Sequence, residues 1–150
     1  MLSTTLPHKK TQSALLHFLG SWDFERSISN PPLRTNGIAQ FEKTSECTLT
    51  YYEFGTYTIN EVSYDFFQKR YFVFNLNSVS VYKNDHSLLH RFELNEDNTS
   101  YPTTLKHVHL CGADTYTCTL TSLKEKHFEM HYSVNGTNKN YEIKTIYTKT

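Results

Sequence analysis

Three cysteines, Cys47, Cys111 and Cys118, are too few and odd in number to staple 150 residues, so a disulfide scaffold is excluded and no intramolecular bridge is expected. No stretch approaches the ~20 consecutive apolar residues of a membrane-spanning helix. Residues Met1 to Lys10 lack the apolar core of a secretion signal. Together these absences point to a reduced, cytoplasmic protein, in which the sequons Asn98-Thr99-Ser100 and Asn135-Gly136-Thr137 carry no sugar. Charge of one sign is missing too. With 15 Lys+Arg against 15 Asp+Glu, no overall field draws the chain to nucleic acid or an anionic membrane. Eight His would turn that balance positive only below pH ~6.5. Five Gly and four Pro rule out collagen-like and low-complexity composition.

What is abundant is aromatic: 11 Tyr and 10 Phe, the balance of a β protein. The length suits one domain over residues 1–150 with a single core. Its organising stretch is Gly20-Ser21-Trp22-Asp23-Phe24-Glu25-Arg26-Ser27-Ile28, a strict two-residue alternation. Trp22, Phe24, Arg26 and Ile28 share the inner face, and the preceding Gly20 allows the sharp turn from helix to strand. Trp22 is expected to plug one end of a barrel. Arg26 is the odd inward residue, because a guanidinium cannot lose its charge and must find an anion or acceptors wherever it is buried.

Residues 1–10 read as a flexible leader and 11–19 as one short helix. Thr11 or Ser13 would cap that helix, Gly20 would end it, and Leu15, Leu16, Phe18 and Leu19 would cover the barrel mouth. Asn30 to Gly37 reads as a loop, followed by strands over 37–44 and 47–58. Phe66 to Leu76 is apolar on both parities, so it is either covered on both sides or carries aromatics outside. Further strands follow at 79–82, 87–94, 105–111, 115–123, 128–134 and 140–148, with one long loop at 95–103. Short strands, tight turns and a lone N-terminal helix predict an all-β, about ten-stranded antiparallel up-and-down barrel, with a β-sandwich as the alternative.

Gly20-x-Trp22 at the head of the first strand resembles the opening of the calycin superfamily, the lipocalins and fatty-acid-binding proteins. The wider pattern resembles one uncharacterised lipocalin-like family, a domain of unknown function. It comprises Trp22-x-Phe24-x-Arg26-x-Ile28, Gly37-x-Ala39-x-Phe41, Leu49-x-Tyr51-x-Glu53-x-Gly55, His109-Leu110-Cys111-x-x-Asp114-x-Tyr116 and Val134-x-Gly136-x-x-Lys139-x-Tyr141. Tyr132 and Thr137 stand where such families often carry Trp and Pro. The resemblance implies a calycin-like barrel in which Arg26 or Lys139 stacks over Trp22 at the closed end. It implies no activity.

His107, His109 and Cys111 lie at i, i+2 and i+4, one face of a strand, where zinc could take them with Asp114 or His90 as fourth ligand. A haem held by one of the eight His is a further alternative, although no attachment motif is present. Acid–base chemistry by His90 or His109 with Asp114 would make the protein an enzyme. The aromatic strand 66–74 would make it a protein-interaction module. The reading favoured here is a small, partly apolar, anionic ligand in the barrel interior, with no resident cofactor and the protein a monomer or homodimer. Its candidate ligand-binding residues are Arg26, Glu53, His90, His109, Tyr116, Lys139 and Tyr141, with Phe24, Tyr51, Phe92 and Tyr116 as walls. Trp22 is the structural residue, and pairing of Arg26 with Glu53 is the structural alternative for those two.

Overall fold

The computed structural model describes residues 9–94 and 103–150. One helix, α1 (Lys9–Phe18), precedes ten strands: β1 (Gly20–Ile28), β2 (Leu33–Ser45), β3 (Thr48–Ile59), β4 (Val62–Phe74), β5 (Ser78–Lys83), β6 (Leu88–Glu93), β7 (Thr103–Cys111), β8 (Asp114–Lys124), β9 (His127–Asn135) and β10 (Asn140–Lys149). Neighbours along the chain other than β6 and β7 pair antiparallel, and β1 pairs with β10, giving one sheet in the order β6-β5-β4-β3-β2-β1-β10-β9-β8-β7. The sheet curls into a nearly closed barrel. Strands β6 and β7 end that order, and no backbone ladder joins them among the described residues.

Several boundaries differ from the sequence expectation. The helix starts at Lys9, which places Thr11 and Ser13 inside it rather than at its cap, and Leu16 points to solvent while Leu15 and Phe18 are buried. The expected loop 30–37 shrinks to 29–32, because Leu33 to Asn36 already pair with β1. Strand β4 begins at Val62 rather than Phe66, after a two-residue hairpin in which Asn60 and Glu61 both take positive φ, 51° and 66°. Asn adopts that conformation readily and Glu does not, so the turn carries only half of its usual signature. The loop expected at 95–103 falls, except for Thr103, outside the described residues.

The core fills the helix end of the barrel. Trp22 and Phe128 meet edge to face at 4.7 Å, Phe128 stacks on Tyr147 at 4.2 Å, and Phe18 enters from the helix against Phe41 and Phe128 at 5.6 and 5.1 Å. Trp22 is fully buried, and its indole N–H donates to the Phe18 carbonyl at 2.9 Å, the helix end supplying the acceptor that a buried Trp requires. Gly20 makes the switch from helix to strand at φ 117°, a conformation closed to other residues. The cation over Trp22 is Lys149, whose ammonium lies 4.6 Å from the ring and donates to the Leu19 carbonyl. Neither Arg26 nor Lys139 takes that place. Aromatics thus pack the helix end of the barrel. Among the described residues, no helix is long and apolar enough to cross a membrane.

Candidate functional site

The floor of the barrel's other half is a buried polar network. Arg26 on β1 donates both terminal nitrogens to the two carboxylate oxygens of Glu53 on β3, at 2.7 Å each, and its Nε to Thr145 Oγ1 on β10 at 2.8 Å. The register makes this possible. Arg26 lies directly opposite Thr145, and a two-residue period puts Glu53 on the inward parity of β3. Tyr51 adds a second donor to Glu53 Oε1 at 2.5 Å, and its hydroxyl lies 3.0 Å from that of Tyr147. Glu53 is 1% exposed and Arg26 13%, so the carboxylate is fully buried and the guanidinium mostly so. Burial, then the neighbouring Tyr147 and Glu53, push the Tyr51 phenol well above its usual range and keep it a donor. The bidentate pair satisfies the Arg26 fork, and the two charges cancel.

Above this floor lies a cavity of about 340 Å³. The β4–β6 side carries Gln68, Arg70 and His90 among the apolar Phe72, Val81 and Leu89; the opposite side carries Met130 and Tyr132 of β9, Ile143 of β10 and Ile28 of β1. Arg70 shares the inward parity with Gln68 and Phe72, is half-buried, and among the described residues donates only to the carbonyl of its neighbour Lys69 at 3.2 Å. No acidic side chain pairs with it among the described residues. Burial, then His107 and Arg70 nearby, push the His90 imidazole down to about 4, so it is neutral at physiological pH. His90 meets His107 of β7 edge to face at 5.9 Å across the unladdered seam, and Tyr132 of β9 at 5.6 Å.

Of the residues singled out from sequence, the fold brings Arg26, Glu53 and His90 to this cavity. The others stand further toward the open end. His109 is exposed with its ring 6.0 Å from Tyr116, Lys139 donates to the Tyr116 hydroxyl at 3.3 Å, and Tyr116 reaches the cavity rim through Tyr132 at 6.3 Å. Tyr141 is half-buried on β10, two residues before Ile143. Among the expected aromatic walls, Tyr51 lines the cavity, while Phe24 and Phe92 are packed into the core. The zinc set is not assembled. Cys111 is exposed at the β7–β8 hairpin, and among the described residues no three His, Cys, Asp or Glu side chains come together as metal ligands would. Asp114 forms no hydrogen bond with His90 or His109. Arg70 is not marked out by the sequence, because the strand around it is aromatic on both parities.

No curated protein matches the sequence. Solved structures share its fold at identities too low to carry more than that. The S-type phycobiliprotein lyase CPES from Guillardia theta aligns over 93% of this chain and 92% of its own with TM-score 0.62 and 6% identity. Rv2717c from M. tuberculosis aligns over 95% and 99% with TM-score 0.57 and 8% identity. The barrel EF1p2_mFAP2b, solved bound to DFHBI, aligns over 95% and 100% with TM-score 0.54 and 8% identity. The profile of a family of unknown function, DUF6314, matches residues 18–149, and the chain belongs to that family.

Proposed function

We propose that this member of DUF6314 binds a small, partly apolar, anionic ligand inside its barrel. The observation that carries the reading is the cavity itself: about 340 Å³ above a neutralised polar floor, with Gln68, Arg70 and His90 set among apolar side chains. That volume lies at the small end of the ~300–1,000 Å³ typical of ligand pockets. A few placed polar groups against an apolar wall would orient an amphiphile rather than a sugar or a nucleotide. A barrel of this fold with a small molecule bound, DFHBI, supports the reading by analogy. The sparse cysteines favour a cytoplasmic setting, and burial pushes the Cys118 thiol up to about 12, which leaves it inert.

Calorimetric titration with octanoate tests the proposal. One site per chain is expected in the wild type, abolished by Ile143→Trp, which fills the cavity from its apolar wall. Absence of binding at millimolar octanoate, or binding that survives the filled cavity, would overturn it.

A further inference from the structure

We infer that the ligand is a monoanion whose charged group is held by Arg70, and that Arg26, the cation marked out by the sequence, serves the fold; the inference rests on the cavity reading above. Arg26 has no charge to offer. Its fork is closed on Glu53 and its Nε on Thr145, so the floor is neutral and its donors are used. Arg70 on the same lining is half-buried, holds one neutral backbone acceptor, and has no carboxylate partner among the described residues. With His90 neutral, the lining among the described residues therefore carries one uncompensated positive charge.

A guanidinium beside an apolar wall and partly withdrawn from water favours an anion strongly, because the ligand restores the partner that solvent no longer supplies. One negative charge cancels it. A second would be left uncompensated beside Glu53, so a carboxylate or other monoanion is favoured over a dianionic phosphate. The polar groups set the orientation, because Gln68, Arg70 and His90 all lie on the β4–β6 side. The charged head lies against Arg70, Gln68 and His90, and the apolar body lies against Met130 and Ile143.

The chain contains two methionines, Met1 and Met130, so a sample labelled with ¹³C at the methionine methyls gives one signal inside the cavity and one control. Octanoate, 1-octanol and octyl phosphate share a tail and differ in head charge. At pH 7.5 we expect all three to shift the Met130 methyl, with octanoate binding about tenfold tighter than either of the others. Arg70→Gln should erase that preference while leaving 1-octanol affinity unchanged, and Arg70→Lys should keep part of it. Emission of Trp22 confirms that each variant is folded. If Arg70→Gln does not fold, the wild-type ranking and Arg70→Lys still decide the matter.

Equal affinity for octanoate and 1-octanol in the wild type, tighter binding of octyl phosphate, or a preference that survives Arg70→Gln would overturn the inference and leave the cavity reading intact. A Met130 methyl that none of the three moves would overturn the cavity reading itself.

Discussion

Glu53 cannot be left alone. At 1% exposure its carboxylate depends on the Arg26 fork, joined among the described residues by the Tyr51 hydroxyl. Arg26→Met should therefore cost about 3–5 kcal/mol, the usual penalty for stranding one member of a buried pair, and adding Glu53→Gln should recover part of it. Urea midpoints followed through Trp22 emission measure this, and small additive losses would mean that the two do not act as a pair. The pair was legible in the sequence, because a lone Arg and a lone Glu each fell on an otherwise apolar parity. Arg70 was hidden because its strand carries aromatics on both parities: Phe72 inside, but also Phe67 and Tyr71 outside, where Phe67 meets Phe54 at 5.1 Å. His90 yields a second residue-scale expectation. Its pKa is about 4 in the fold against 6.5 ordinarily, so as pH falls below 6.5 the unfolded chain takes up a proton that the folded chain refuses. Stability is thus fully present above pH 6.5 and is lost progressively toward pH 4, by at most ~1.4 kcal/mol per pH unit from this group. Burial lowers His17 in the same direction. His90→Gln should flatten the fall in urea midpoint over that window; an unchanged slope would show that His90 does not titrate this way.

The helix and β1 act as one element, because the helix end supplies the acceptor for Trp22 and the Phe18 ring that fills the closed end of the barrel. Phe18→Ala removes contacts with Phe41, Phe72, Phe74 and Phe128 at once, and should cost about 3–5 kcal/mol. Octanoate affinity should hold, because Phe18 does not line the cavity; a loss of affinity matching the loss of stability would tie the plug to the site. Where β2 and β3 cross, Gly37 faces Gly55, and a Cβ at Gly37 would come within 2.0 Å of the Phe54 carbonyl oxygen. That neighbour is backbone and cannot swing away, so Gly37→Ala should lower the urea midpoint. The strands themselves were readable from alternation, while their ends were not. Leu33 to Asn36 looked like loop because Pro31, Pro32 and an Asn-Gly pair surround them, yet their partners in β1 hold them in the ladder. Tertiary pairing decided what local propensity left open.

At the scale of the whole molecule, among the described residues the sheet is laddered everywhere except between β6 and β7. Two strand edges with no ladder between them meet there, with His90 and His107 facing each other across the gap. Edge amides open more readily than those inside a ladder, so hydrogen exchange should be fastest, among the strands, along β6 and β7, and slowest in β1 to β3. Uniform protection would show that the seam is as tight as the rest of the barrel. The meander, the closure and the single helix were all legible in the sequence, because each follows from strand spacing and turn length. The seam was not, since no sequence signal says which two strands of a ten-membered ring will fail to pair. The same closure also leaves the aromatics Phe54 and Phe67 on the outer surface, half exposed, as another place where an apolar molecule could settle. A crystal structure of the protein grown with octanoate distinguishes the two most directly. One molecule inside the barrel, its carboxylate at Arg70 and its chain along Met130 and Ile143, is the expected result; octanoate on the outer face at Phe54 and Phe67, with nothing bound inside, would contradict it.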